Sequence, residues 1–445
     1  MGFFRILSTT MVRVELSCDY MKKIPKLKNN QYDVIVVGGG ASGLMAAGRA
    51  GELGHRVLLL EKNRTLGEKL NITGGGRCNI TNAIYDKREF LKVYGPAHDF
   101  LFSPFSQFGV GDTFAFFEKI GLPLVTEARS RVFPASQKAS DVTKVLEKYA
   151  RDNGVAIKLN SPVSKILTAK KQVAGVLLDD EKVSARAIIL ATGGLSHPET
   201  GSTGDGFRWL KDLGHSVRPP SPDVVPLKAK EAWIKELSGL SLSFMKITFY
   251  TEGKRAFAKK GKILFTHFGL SGPLILNSAR EVKRLLEAGR VTATIDAFPD
   301  TDLGSLEKQV IKIFDANKNK SLKNIFKDIA PLGTAEAILS LLALDPEVKV
   351  NEIKKEERKE IVKILKSLPV TITGLMGFDR AVVSDGGVSL TEIDTRSMRS
   401  KIKPNLFVLG DLLDINRQSG GYSLQLCWTT AFVAAEHVKE VLAEA

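Results

Sequence analysis

Cysteine is scarce in this chain of 445 residues: Cys18, Cys78 and Cys427 are odd in number, far apart and without C-x-x-C spacing. That excludes a disulfide framework, a zinc site of the usual ligand spacing and a dithiol redox pair. It suits a reducing compartment, so a cytoplasmic protein with no bound metal is expected. No run approaches the roughly 18 uninterrupted apolar residues of a membrane span, so no membrane insertion is expected. Blocks of about five or six like charges are missing too, although 64 basic residues against 49 acidic ones leave a net charge of +15. Dispersed in this way, the lysines read as a solvated basic surface that favours anionic ligands. No motif or basic–aromatic interleaving points to nucleic acid, so a small-molecule substrate is the expected partner. The length predicts two or three domains.

What is present begins with residues 32–61, YDVIVVGGGASGLMAAGRAGELGHRVLLLE. Asp33 to Val37 is a β-branched run suited to a buried parallel strand. Gly38, Gly40 and Gly43 form G-x-G-x-x-G where the strand turns into a helix rich in small residues, with Ala41 and Ser42 in its first turn. Val57 to Leu60 is a second strand, with Glu61 at its carboxyl end. This is a dinucleotide fingerprint in its full βαβ context. The glycines admit a pyrophosphate to the free N–H groups of the helix N-terminus. Glu61 is placed for an adenosine ribose, with Lys62 beside it. An acid there repels a 2′-phosphate, so the tightly held nucleotide is FAD or NAD rather than NADP.

Further stretches narrow the choice to FAD. Gly74, Gly75 and Gly76, followed by Arg77, Cys78 and Asn79, offer backbone N–H groups and little side-chain bulk. They suit a loop laid against a flat ring and a ribityl chain. Lys69 and Arg77 supply positive charge for the pyrophosphate or the ring edge, and Arg77 is a candidate catalytic residue. Cys78 reads as a packed thiol rather than a redox group. Ser140 is expected to cap an amphipathic helix, and strands near 155–159, 163–166 and 173–178 read as a meander, with Val163 beside the adenine. Thr192, Gly193 and Gly194 follow another buried strand, a usual ligand position in an open α/β sheet. His215 reads as a helix-terminal residue. Pro219, Pro220 and Pro222 mark a boundary, after which short strands suggest a barrel-like domain. His267, in a glycine-rich loop there, is the second catalytic candidate. Residues 303–365 are helical in pattern. Near the end, Gly410-Asp411 closes a strand, and Gly421, Tyr422, Ser423, Leu424 and Gln425 lead into a last helix expected over Cys427 to Leu442. The N-terminus of that helix is expected to face the ring.

Taken in order, GGGASG, GGGRCNITN, RVFP, ATGG, GSTGDG, THFGLSGP and GDLLDINRQSGGYSLQ resemble the BaiN/RdsA-like NAD(P)/FAD-dependent flavoproteins, also called aminoacetone-oxidase-like. The resemblance runs from about Tyr32 to the C-terminus. It implies an α/β fold: a discontinuous Rossmann-like FAD-binding domain (residues 31–218 and 386–445), an inserted β-barrel-like substrate domain (219–300 and 367–385) and a small helical subdomain (301–366). Residues 1–30 are expected to be a disordered extension, since they lack a clean signal-peptide core and Met21 offers an alternative start. The expected function is that of an FAD-dependent oxidoreductase, in which NAD(P)H, visiting transiently, reduces the flavin and hydride passes to a C=C or C=O acceptor or to O₂. Some relatives reduce C=C bonds of steroid-like substrates. The alternatives are a fumarate-reductase-like flavoprotein and a flavin-dependent RNA-binding or tRNA-modifying protein. Where the family often has Asp-Gly, this chain has Asn416-Arg417-Gln418-Ser419, which is expected to add positive charge near the flavin.

Overall fold

The computed structural model describes residues 31–444; the extension expected over residues 1–30 lies outside them. Strand β1 (Gln31–Val37) lies between β2 (Val57–Leu60) and β3 (Glu181–Leu190), parallel to both. Helix α1 (Ala41–Glu52) connects β1 to β2. Such strands are covered on both faces, which is why Val34, Ile35, Val36, Leu59 and Ile188 to Leu190 are wholly buried. Register decides where the site forms. Val37 pairs with Leu60 and with Leu190, and Leu190 pairs with Val408 of Leu406–Val408. The chain therefore leaves four strands at one level, as Gly38, Glu61, Ala191 and Leu409.

The strand Ala156–Lys158 departs from the expected meander, because it pairs parallel with β2 at the far edge of the sheet. A parallel partner needs a crossover, and helix Ala139–Asp152 supplies it. Only Val163–Ala169, Gln172–Leu178 and β3 form the antiparallel meander. Ser140 does not cap that helix: Lys138 holds the N-cap position, and Asp141 brings a negative charge to the first turn.

A closed six-stranded barrel follows, in the order Leu227–Ala229, Gly269–Ser271, β5 (Lys254–Thr266), β4 (Ser241–Thr251), Val291–Asp296 and Leu368–Leu375. Alternation sends Met245, Ile247, Phe249, Ile263, Phe265, Val291, Ala293 and Ile295 inward. Helices Leu303–Ala316 and Lys355–Lys366 share this core through Leu306, Val310, Phe314, Ile361 and Leu365.

Between barrel and sheet runs a two-stranded ribbon, Val217–Asp223 with Val383–Val388. The proline-rich boundary is thus itself a strand, and a register shift between Arg218 and Ser221 leaves Pro219 and Pro220 out of the ladder. Residues 381–384, expected in the barrel, lie in or beside this ribbon. His215 follows the end of helix Asp205–Asp212, its N–H donating to the Leu210 carbonyl, and is 4% exposed, with Nδ1 2.9 Å from Glu392 and Nε2 2.8 Å from Ser400.

Charged groups pin the ribbon. Arg218 donates to Asp385 (2.8 Å) and Asp414 (2.6 Å), Arg280 beside the barrel donates to Asp385 (3.1 Å), and Asn416 donates to Asp385 (2.7 Å) and Asp223 (2.5 Å). Burial alone would raise the Asp385 carboxyl, but its hydrogen bonds from Arg218 and Asn416 hold it at about 2. A depressed carboxyl stabilises the fold above its unfolded value of 3.8, and that stability is lost as pH falls toward 2. Asp385→Asn is expected to cost about 1–2 kcal/mol at pH 7. It should also flatten the decline of Tm between about pH 4 and pH 2 in a calorimetric pH series.

Candidate nucleotide and active site

The strand ends open into one cavity. At its first wall, Gly38 has φ +107°, and a Cβ there would lie 2.6 Å from the Ala191 carbonyl oxygen. A Cβ on Gly43 would lie 1.7 Å from the Gly38 carbonyl oxygen. These two glycines are thus required by strand–helix packing. Gly40 differs, because a Cβ there would meet nothing within 4 Å among the described residues. It stands at the N-cap of α1 with no capping side chain, so the first-turn N–H groups face open space. Gly40, Ala41 and Ser42 all line the cavity.

Glu61, 8% exposed, accepts from the backbone N–H of Gly39 (2.6 Å) and of Asn63 (2.8 Å). These bonds fix its carboxylate at the cavity wall and leave lone pairs for a further donor. Lys62 donates to Thr203 (2.5 Å) and Asp205 (3.0 Å) at the same wall. Thr192 and Gly193 line the cavity, and the Thr192 hydroxyl oxygen is buried without a partner among the described residues. Gly194 does not line it; a Cβ there would lie 2.1 Å from the Ser384 hydroxyl. Val163 lies in the wall beside Ser161 and Pro162.

At the other end stands Asp411, one residue beyond Gly410. Gly410 packs on α1, where a Cβ would lie 2.9 Å from the Ser42 hydroxyl. Asp411 pairs with Arg417 and lies 3.6 Å from Lys69, which donates to Ser196 at 2.5 Å. Burial would raise the Asp411 carboxyl, but the charges of Arg417 and Lys69 hold it below the usual range. Arg417 is 3% exposed and also donates to the Ile415 carbonyl (2.9 Å) and the Ser423 hydroxyl (3.0 Å). Its charge is therefore spent on Asp411, which corrects the expectation of added positive charge near a ligand.

Helix α2 (Tyr422–Ala443) starts five residues before its expected position. Gly421 turns the chain at φ +99°, so close to Thr81 that a Cβ would lie 2.3 Å from its backbone. Ser423, Leu424 and Cys427 then face the cavity. Tyr422 packs on Phe90, with ring centroids 5.0 Å apart. Gln425 is buried and accepts from Thr81 (2.6 Å) and Thr113 (3.0 Å), so it ties α2 to its scaffold.

The triple glycine breaks a helical turn: Gly74 and Gly75 are left-handed, at φ +58° and +68°, and Gly76 has φ +84°. From this stretch Lys69, Leu70 and Thr73 reach the cavity wall, whereas Gly74, Gly75, Gly76, Arg77, Cys78 and Asn79 do not. Arg77 lies 3.9 Å over the Phe133 ring and 2.7 Å from Glu127. Cys78 is wholly buried, and burial pushes its thiol up to about 12, which suits a packed group and not a redox one. His267 is exposed in the tight turn between β5 and Gly269–Ser271, away from the cavity lining.

Ser161, Pro162, Trp209 and Val382 also line the cavity and had no signal of their own in the sequence. Asn82 was visible only inside GGGRCNITN. It is 4% exposed, and its amide donates to the carbonyls of Arg129 and Gly420, both at 3.2 Å. Its own carbonyl oxygen is buried and unpartnered among the described residues, as is that of Asn79.

A family model, the HI0933-like protein Rossmann domain, matches residues 32–437. The chain belongs to this family. The motifs from GGGASG to GGYSLQ had carried the same assignment. Among HI0933-like relatives, the chain is 29% identical over 411 residues to a 3-dehydro-bile acid delta(4,6)-reductase of Clostridium scindens, covering 91% of this chain and 98% of the relative. It is 28% identical over 408 residues to a ribosomal RNA dihydrouridine synthase of Escherichia coli, covering 91% and 98%. Its fold is similar to that of a 3-ketosteroid-delta4-(5alpha)-dehydrogenase from Rhodococcus jostii RHA1, with TM-score 0.51, 15% identity, and coverage of 93% of this chain and 98% of the other. This HI0933-like chain is a flavin-type oxidoreductase with a Rossmann-like FAD-binding domain. Among the described residues no helix is long and apolar enough to cross a membrane.

Proposed function

We propose that the protein reduces a carbon–carbon double bond conjugated to a carbonyl, with FAD as resident carrier and NAD(P)H as a transient electron donor. The observation that carries this reading is the continuity of the cavity from Glu61, past Gly40 and Thr192, to Asp411 and Ser423. The open face of Gly40 and the unpaired Thr192 hydroxyl fit a bound dinucleotide. Glu61 would hold the adenosine ribose, the first turn of α1 the pyrophosphate, Val163 the adenine, and Asp411 the ribityl hydroxyls. Gly74 to Asn79 lie just beyond the lining residues Lys69, Leu70 and Thr73, and there Asn79 and Asn82 hold buried acceptors without a partner among the described residues. Bound FAD supplies two-electron hydride chemistry.

The protein's own part is electrostatic. Lys69 and Arg417 keep Asp411 ionised, so that it accepts hydrogen bonds throughout the working pH range. The N-terminus of α2 opposes negative charge that develops beside Ser423 and Leu424. The acceptor class rests on what the two curated relatives share by name. A 3-oxo-4,6-diene and a uracil ring both present a C=C bond conjugated to a carbonyl. Arg77 and His267 lie away from the cavity wall, so we assign neither a proton-transfer role.

A second reading makes a pyrimidine in RNA the acceptor. The net charge of +15 favours it, as does the named activity of the Escherichia coli relative. The cofactor part is tested first. Purified protein is expected to absorb near about 450 nm and to bleach anaerobically with NADH or NADPH. Protein that is colourless and cannot be reconstituted with FAD would contradict the proposal.

A further inference from the structure

The barrel carries a feature that the cavity leaves unused. Between Ser241 and Thr266 the β4–β5 hairpin holds six basic residues against one acid, Glu252. Opposite Lys262 the ladder slips between Leu242 and Met245, and the bulge thrusts out Phe244. Phe244 is 75% exposed and sits at φ +61°, a left-handed conformation that is strained for a bulky residue. Folding therefore pays twice here, once in backbone strain and once in leaving a large aromatic ring in water.

Lysines frame that ring. Lys246 pairs in register with Lys260 across the hairpin, and Lys262 follows on β5. Lys260 has an acidic partner, Asp300 at 2.6 Å, and Lys259 pairs with Glu281. Lys246, Lys254, Arg255 and Lys262 have no ion-pair partner among the described residues. The hairpin is also tied to the cavity. Lys259 donates to the Asn277 carbonyl at 3.1 Å, and the Asn277 side chain accepts from Ser419 at 3.0 Å, two residues before Gly421 and the start of α2.

From this juxtaposition we infer that the bulged hairpin is a docking surface for a single-stranded segment of RNA, with a base stacked on Phe244 and phosphates on Lys246 and Lys262. An exposed aromatic between unpaired cations matches the two requirements of such binding: a π-face that accepts any base, and charge that tracks the backbone. A small apolar acceptor would need the ring but not the lysines. The inference rests on the RNA reading of the acceptor and gives it a location.

The test is fluorescence anisotropy with the full-length FAD-loaded protein and a labelled uridine-containing RNA hairpin, titrated from low to moderate salt. Phe244→Ala is expected to weaken binding on the order of ten-fold. Lys246→Gln with Lys262→Gln should weaken it further and lower the salt slope by about one to two. All three substitutions are expected to leave flavin content and the rate of bleaching by NAD(P)H unchanged. Wild-type binding with no loss in the variants would overturn the docking surface while sparing the RNA reading. No wild-type binding even at low salt would overturn both, and leave the reductase proposal to stand on small acceptors.

Discussion

Gly43→Ala is expected to yield a protein that retains no FAD and melts several degrees below the parent. The added Cβ would lie 1.7 Å from the Gly38 carbonyl oxygen, so something must move. Neither side can move cheaply. Gly38 is held at φ +107° against the Ala191 carbonyl, and α1 is buried along nearly its whole inner face. Overpacking of this kind costs about 1–3 kcal/mol, and more where the obstacle is backbone. Separation of α1 from β1 would also spoil the anion site at the helix N-terminus. Gly40→Ala is the informative control, because its Cβ meets no atom of the described residues within 4 Å. It is expected to keep the parental Tm and lose only cofactor affinity. Thermal melts paired with the flavin-to-protein absorbance ratio check both results. Equal melting points with equal flavin content in the two variants would contradict this account of the turn.

Arg417→Ala is expected to have the second large effect. Asp411 would keep only Lys69, 3.6 Å away, as a counter-charge in a buried setting. Breaking a buried pair by removing one partner costs about 3–5 kcal/mol. Urea unfolding should show that loss, together with weaker FAD retention. Replacing both members, with Asp411→Asn and Arg417→Met, is expected to restore much of the stability, because no fully buried charge is then left unpaired and the partly exposed Lys69 keeps its bond to Ser196. It should not restore FAD affinity, since the carboxylate that would hold the ribityl hydroxyls is gone. Recovery of both properties would show Arg417–Asp411 to be a packing element alone.

The sequence made the βαβ unit legible because its signals are local. The glycine spacing, the apolar strands and Glu61 all fall within 30 residues, and the structure keeps their order. The family was legible through GGGRCNITN and GGYSLQ for the same reason. What escaped depended on long-range pairing. Ala156–Lys158 looks like a meander strand in isolation, yet its partner β2 lies about a hundred residues upstream. The prolines at 219, 220 and 222 mark a boundary in the sequence, and only the distant Val383–Val388 shows that the stretch around them is a strand. Gln425 sits in a motif that reads as ligand-facing, but Thr81 and Thr113 turn it into scaffold. Arg417 looked like free charge because Asp411 was read separately from it. The lysines of β4 and β5 looked scattered because pairing across a hairpin, not sequence proximity, brings Lys246 to Lys260.

The central claim is the acceptor class, and single-turnover reoxidation tests it most directly. Protein reduced anaerobically is mixed with a 3-oxo-4,6-diene bile acid, a uridine-containing RNA hairpin, fumarate and a saturated ketone in separate shots. The expected result is return of flavin absorbance with one of the first two, with one C=C bond lost per flavin. Reoxidation by the saturated ketone alone, with every conjugated acceptor inert, would contradict the account; fumarate, whose C=C bond is conjugated to carboxylates, marks the dicarboxylate alternative.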